Sequence, residues 1–243
     1  MDATFPFGLP TATAVYLTLY LLTLCMHIVF MNYVLAGSAY LAVAAVLHGK
    51  SAEKTPIYAV LRDWMPFMLS GAITAGIAPL LFLQVLYVER FYTANLLLFY
   101  RWMAILPALI LGFYLSYLLK AKLVGRWPLF ARIVIGCGAF ACVGFVGWSW
   151  VENHLLSLQS AGVWAEHYRS EAILFRSPEL IPRLALWFVA AFPTMALVVG
   201  WQLVGRDGSE ASAAAQEPPS PQPWADENVE PQYLAQLIDD SFS

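Results

Sequence analysis

The chain has 243 residues, 60% of them hydrophobic and only 12% charged, with a mean hydropathy of +0.65 and a net charge of −3. An ordinary soluble domain carries about twice that charged fraction, so the composition excludes one and points to a membrane protein whose first partner is the lipid bilayer; no nucleic-acid partner is expected. Met1 to Pro10 holds no Lys or Arg, and the apolar stretch that follows is far longer than the core of a cleavable leader, so the first helix is expected to stay.

A hydrocarbon core is crossed by about 20 apolar residues. Five stretches qualify, roughly Ala12 to Leu47, Trp64 to Val88, Leu96 to Leu119, Phe130 to Trp150 and Leu184 to Val204. The expected fold is therefore all-α, a polytopic bundle of five transmembrane helices over residues 1–205, followed by a disordered acidic tail over 206–243. The first stretch is overlong and must tilt or emerge as an ordinary helix. Pro79, Pro107 and Pro193 fall inside spans and predict kinks.

His27 lies within the first span, and it is the most informative single residue. An ionisable side chain at membrane depth costs roughly 2.5 kcal/mol or more if charged, so it is a functional hypothesis with a partner to be named. Neutral imidazole is the commonest haem and metal ligand. It is also a good hydrogen-bonding tie between helices, and the residue type alone leaves both readings open. Asn32, Thr74, Gln84 and Ser116 are the other polar groups in the spans and are candidates for interhelical hydrogen bonds. Glu89 and Arg101 end the second and begin the third span, where they can pair across the turn; a quinone contact by Arg101 is the alternative.

The fourth span, from Gly136 to Gly147, is dense in small residues that allow close backbone approach, within this chain or against another subunit. The segment 151–181 mixes apolar residues with Glu152, His154, Glu166 and His167 and is expected to form one or two helices at the membrane interface. Those four side chains match no metal-ligand spacing, and a solvated polar face is expected of them. Cys25, Cys137 and Cys142 all lie in spans, so no disulfide framework is implied. The sequence has no Cys-x-x-Cys-His for covalent haem, no phosphate-binding glycine loop and no nucleophile elbow.

Orientation follows from the basic residues. With the N-terminus outside, the cytoplasmic side receives eight Lys and Arg residues and the outer side five, which favours that arrangement and a cytoplasmic C-terminus. From Arg206 onward there are eight acids and one base, so the tail is net −7 and the membrane part +4. Within the tail, Tyr233, Leu234, Leu237 and Ile238 share helical spacing and could form a docking peptide on a flexible tether.

Two stretches carry a resemblance. Met26-His27-Ile28-Val29-Phe30-Met31-Asn32-Tyr33-Val34-Leu35-Ala36-Gly37 resembles the opening helix of the large subunit of cytochrome bd quinol oxidases, and Gly71-Ala72-Ile73-Thr74-Ala75-Gly76-Ile77-Ala78-Pro79-Leu80-Leu81-Phe82-Leu83-Gln84 looks like that family's second helix. The resemblance covers about the first 120 residues. It implies that His27 is the axial ligand of a haem iron near the outer face, with Asn32, Thr74, Gln84 and Arg101 around a haem b or quinone site. It also implies a bacterial inner membrane, with other membrane subunits and a c-type cytochrome as partners. The chain departs from the family in having Leu80 or Leu81 where the family has a glutamate, no acid in the third span, and no clear ligands for a second haem. Oxygen reduction needs intramembrane acids to deliver protons, so the chain alone is not expected to be an oxygen reductase; at most it is a redox subunit of a quinol-linked complex. A non-redox scaffold or anchor subunit, with no cofactor, is the alternative.

Overall fold

The structure is a computed structural model that describes residues 11–121 and 127–216, the side chains of 207–216 excepted. Among the described residues every regular element is helical. In chain order these are α1 (Thr11–His48), a 3-10 turn (Gly49–Lys54), α2 (Pro56–Leu86), α3 (Val88–Leu97), α4 (Phe99–Met103), α5 (Ile105–Lys120), α6 (Leu129–Ser157), α7 (Ala161–Ser170) and α8 (Leu180–Gln216). Five segments are long and apolar enough to cross a membrane: Thr11–Lys54, Pro56–Leu86, Phe99–Lys120, Leu129–Ser157 and Leu180–Arg206. The five-span, all-α expectation therefore holds, and the chain is a multi-pass membrane protein.

The chain divides into two compact units, Met1–Leu203 and Val204–Ser243, and the bundle is the first of them. The segment 206–216, expected to open a disordered tail, instead continues α8 as helix to Gln216. The docking motif at Tyr233 to Phe242 lies outside the described residues.

The boundaries have local causes. Gly49 turns the chain after α1 with a φ of 55°, a conformation that a side chain resists, and a Cβ there would stand 3.2 Å from Leu129. Thr55 then caps α2 by accepting from the Tyr58 N–H at 3.4 Å, with Pro56 in the first helical position where its missing N–H costs nothing. Pro66, like Pro79 and Pro193, is accommodated inside a helix. The third span is not one helix: it is interrupted at Leu98 and again at Ala104, one residue after the carbonyl of Met103 that Pro107 cannot serve.

In lipid, apolar burial gives helices little reason to associate, so packing must do it. The main core joins Tyr33, Leu41, Leu61, Met65 and Leu69 of α1 and α2 to Ala191, Met195 and Val199 of α8. Small residues bring the other helices close: a Cβ on Gly136 of α6 would lie 3.7 Å from the Ala42 backbone, and one on Gly112 of α5 would lie 3.2 Å from Cys142. Much of the glycine-rich stretch of α6 is thus used inside the chain, while Gly144 and Gly147 face open space. At the His48 end of the bundle, buried Arg132 of α6 pairs with Glu53 of the 3-10 turn.

The core is off-centre. No residue of α1 from 11 to 31 is buried, whereas ten of those from 32 to 45 are. The Thr11 half of α1 therefore leans on α2 with its remaining surface uncovered. Asn32 marks the transition by donating to Thr194 of α8 at 3.1 Å. Such interhelical bonds contribute about 0.6 kcal/mol on average, so Asn32→Leu is expected to lower stability in detergent unfolding by about that much and to leave the fold intact.

Candidate functional site in the α1–α2 seam

His27 Nδ1 lies 2.9 Å from the carbonyl oxygen of Ala72 on α2. A carbonyl only accepts, so Nδ1 carries the proton and donates it; in the neutral ring that membrane depth favours, Nε2 then holds a lone pair. Gly76, one turn beyond Ala72, makes room for the ring, since a Cβ there would stand 3.0 Å from His27 Cε1 and 3.1 Å from Nδ1. Gly71 does the same for Phe30, whose ring would lie 2.6 Å from a Cβ. Two glycines and two aromatic rings thus alternate down one seam, and they fix the depth at which His27 sits.

Anchoring of one ring N–H on a backbone carbonyl is how a metal-ligating histidine is oriented and its tautomer set. Among the described residues no group of three or more His, Cys, Asp or Glu could hold a metal ion. A haem b can be held by a single protein donor, so the oriented imidazole of His27 would fit one in donor chemistry.

The remaining residues expected around that site are not brought to it. Asn32 is spent on Thr194, and Thr74 lies on the exposed face of α2. Gln84 accepts from the Tyr92 hydroxyl at 3.2 Å. Arg101 does not pair with Glu89 across the turn. Its Nε and Nη2 bond Glu152 Oε2 at 3.1 and 2.9 Å, and its guanidinium lies 4.9 Å above the Phe145 ring. The reason is burial: Glu152 is 1% exposed and needs a cation, whereas Glu89 is in the open. Glu152 also accepts from the Phe175 N–H at 2.6 Å through its other oxygen.

This corrects the expectation of a solvated polar face on 151–181. Glu152 and His167 are buried, and only Glu166 keeps to the exposed side. The segment opens as a continuation of α6 whose residues Val151, Glu152, Asn153, Leu155 and Leu156 are buried against protein. Asn153 donates to Asn95 of α3 at 2.7 Å, and the Trp164 indole of α7 donates to the Leu156 carbonyl at 2.7 Å. The Thr11 end of the bundle is thereby closed by polar ties between α3, α4, α6 and α7.

A cavity of about 400 Å³ lies at that same end, between the last turn of α2, the start of α3, the end of α6 and Tyr20 of α1. Its walls include Leu83, Tyr87, Trp150 and His154. Tyr20 and His27 are seven residues apart on α1, as are Leu83 and Gly76 on α2, so each pair shares a helix face. The cavity sits about 10 Å from His27 along the axis of the seam. Sequence reasoning named Glu152 but missed its burial and its pairing with Arg101, and it missed the cavity, although the i, i+7 spacing of Tyr20 and His27 was there to be read. No family model, no curated protein and no solved structure matches the chain.

Proposed function

We propose that the chain is a bd-oxidase-like integral membrane subunit of a bacterial electron-transfer complex, holding haem b on His27 or a quinol against it. Its N-terminus lies on the outer face of the cytoplasmic membrane, where a c-type cytochrome is its partner. The observation that carries the reading is the 2.9 Å bond from His27 Nδ1 to the Ala72 carbonyl. It commits the ring's only donor and leaves Nε2 as a base of fixed direction. Haem b, when bound, supplies a one-electron redox centre. The chain supplies orientation through Ala72 and clearance through Gly76. The uncovered half of α1 supports the idea of a subunit, because the flanks of His27 are left to lipid or to another chain.

The test is the haem content of the full chain purified in mild detergent, measured as the pyridine complex. One b-type haem per chain is expected for the wild type and none for His27→Ala. For the quinol form, a hydroquinone that co-purifies with the wild type and is lost from His27→Ala is expected. Neither cofactor in the wild type, or equal amounts in both, overturns the reading. A non-redox anchor subunit is the competing function, and the same hydrogen bond favours it in one respect: it already ties α1 to α2 with no cofactor present.

A further inference from the structure

A second cavity, of about 440 Å³, opens between the break that separates α3 from α4 and the end of α7. To its wall α3 and α4 contribute Leu96, Phe99 and Tyr100, and α7 with the turn after it contributes His167, Tyr168 and Glu171. Two polar groups there are unspent. His167 is only 8% exposed, and its Nε2, shut off from solvent, has no hydrogen-bond partner among the described residues. A buried polar nitrogen left unpaired is uncommon in a folded chain and points to a partner from outside it. The Glu171 carboxylate, unlike that of Glu152, has neither an ion pair nor a hydrogen bond among the described residues. A carboxylate and an imidazole nitrogen can both accept, and tyrosine rings attract positive charge, so the set suits a cation that donates hydrogen bonds. Position adds a further argument. Phe99 opens the third span, and Tyr100 and Tyr168 are exposed, as tyrosines at a membrane–water boundary are. The cavity thus lies at the depth of lipid head groups, and exposed Leu96 and Phe99 offer acyl chains an apolar surface beside it.

We propose that this cavity binds the primary ammonium of an ethanolamine phospholipid, held between the Glu171 carboxylate and the His167 imidazole, with the acyl chains leaving over Leu96 and Phe99. A primary ammonium carries three N–H donors, enough for both acceptors. A choline head is also drawn to the tyrosine rings, but it has no N–H to give to the carboxylate or the imidazole. The head of an anionic lipid meets the Glu171 charge with the wrong sign. A lysine of a partner protein has the same ammonium without the acyl chains, and lipid is already at hand where a span begins. The proposal does not depend on His27 or on any redox role.

Native mass spectrometry of the full chain in detergent tests it, with phosphatidylethanolamine, phosphatidylcholine and phosphatidylglycerol of the same chains, free ethanolamine and N-acetyl-lysine amide as probes. Phosphatidylethanolamine is expected to be retained at least about tenfold more than either other lipid, as one charge-assisted hydrogen bond would give. The two small amines are expected to form no adduct at matched concentration. Glu171 has a φ of 50°, a left-handed backbone that Asn and Asp tolerate better than most residues, so neither Glu171→Asn nor Glu171→Asp is expected to disturb the fold. Glu171→Asn removes the charge and is expected to abolish the preference, whereas Glu171→Asp keeps the charge and is expected to keep most of it. His167→Phe retains a ring against Phe175 but removes the nitrogen, and is expected to weaken the preference several-fold. Equal retention of the three lipids by the wild type, a preference unchanged in Glu171→Asn or in His167→Phe, a preference lost as fully in Glu171→Asp as in Glu171→Asn, or an adduct of either small amine as strong as that of the lipid would each overturn the proposal.

Discussion

Glu152→Ala is expected to lower the stability of the bundle by about 3 to 5 kcal/mol, the cost of stranding a buried charge whose partner has been removed. Glu152 is 1% exposed, and Arg101, its partner, is only 17% exposed, so water cannot readily take over from the carboxylate. The loss reaches further than one ion pair. Glu152 Oε1 holds the Phe175 N–H at 2.6 Å, and Phe175 packs with Leu156 and Trp164 on one side and with Val151 and Leu180 on the other. Removing the carboxylate therefore unties α4 from α6 and releases the approach to α8 together. Glu152→Gln keeps the shape and one acceptor and is expected to cost less than the alanine change. Unfolding titrations in mixed micelles measure both, and a Glu152→Ala midpoint equal to the wild type would contradict this account of the Thr11 end.

The second large effect is expected at Gly76. A leucine there has to enter space that the His27 ring fills, since even a Cβ would come within 3.0 Å of Cε1. The ring moves, its bond to the Ala72 carbonyl breaks, and the seam opens. Overpacking of this kind costs about 1 to 3 kcal/mol. On the proposed function the effect on haem binding is larger than the stability effect, because loss of an orienting partner behind a ligating histidine weakens metal affinity about 10- to 100-fold. Gly76→Leu is thus expected to fold, as judged by helicity and a monodisperse elution profile, and, if His27 holds haem as proposed, to lose most of it. Gly144→Leu is the control: nothing lies within 4 Å of its Cβ position, and it is expected to keep both.

The spans were legible because a continuous apolar run of membrane length has few other structural meanings. Their ends were less so, for reasons that particular residues explain. The fourth span reads as stopping at Trp150 because Glu152, Asn153 and His154 break its apolarity, yet α6 runs to Ser157 because those polar groups meet Arg101, Asn95 and the cavity instead of lipid. The interruptions at Leu98 and Ala104 carry no glycine; only Pro107 hints at the second. At the candidate site, an isolated histidine in an apolar run was visible and its importance could be argued at once. Its partner could not be found, since a backbone carbonyl has no residue type. Proximity in sequence suggested Glu89 for Arg101, whereas burial selects Glu152, fifty-one positions away. Asn32, Thr74 and Gln84 share the polarity expected of a site, but Asn32 and Gln84 bond different neighbours and Thr74 lies on an exposed face, and composition does not encode direction.

The chemical claim rests on one neutral imidazole, oriented from behind and offering Nε2. The most direct measurement is the reduced-minus-oxidised visible spectrum of the full chain, purified in detergent, beside that of His27→Ala. The account predicts a b-type haem signal in the wild type that is absent from the variant while the variant's helicity is unchanged. A signal of equal size in both, or a haem-free wild type whose preparation also holds no quinol dependent on His27, would contradict it and leave His27 as a tie between two helices.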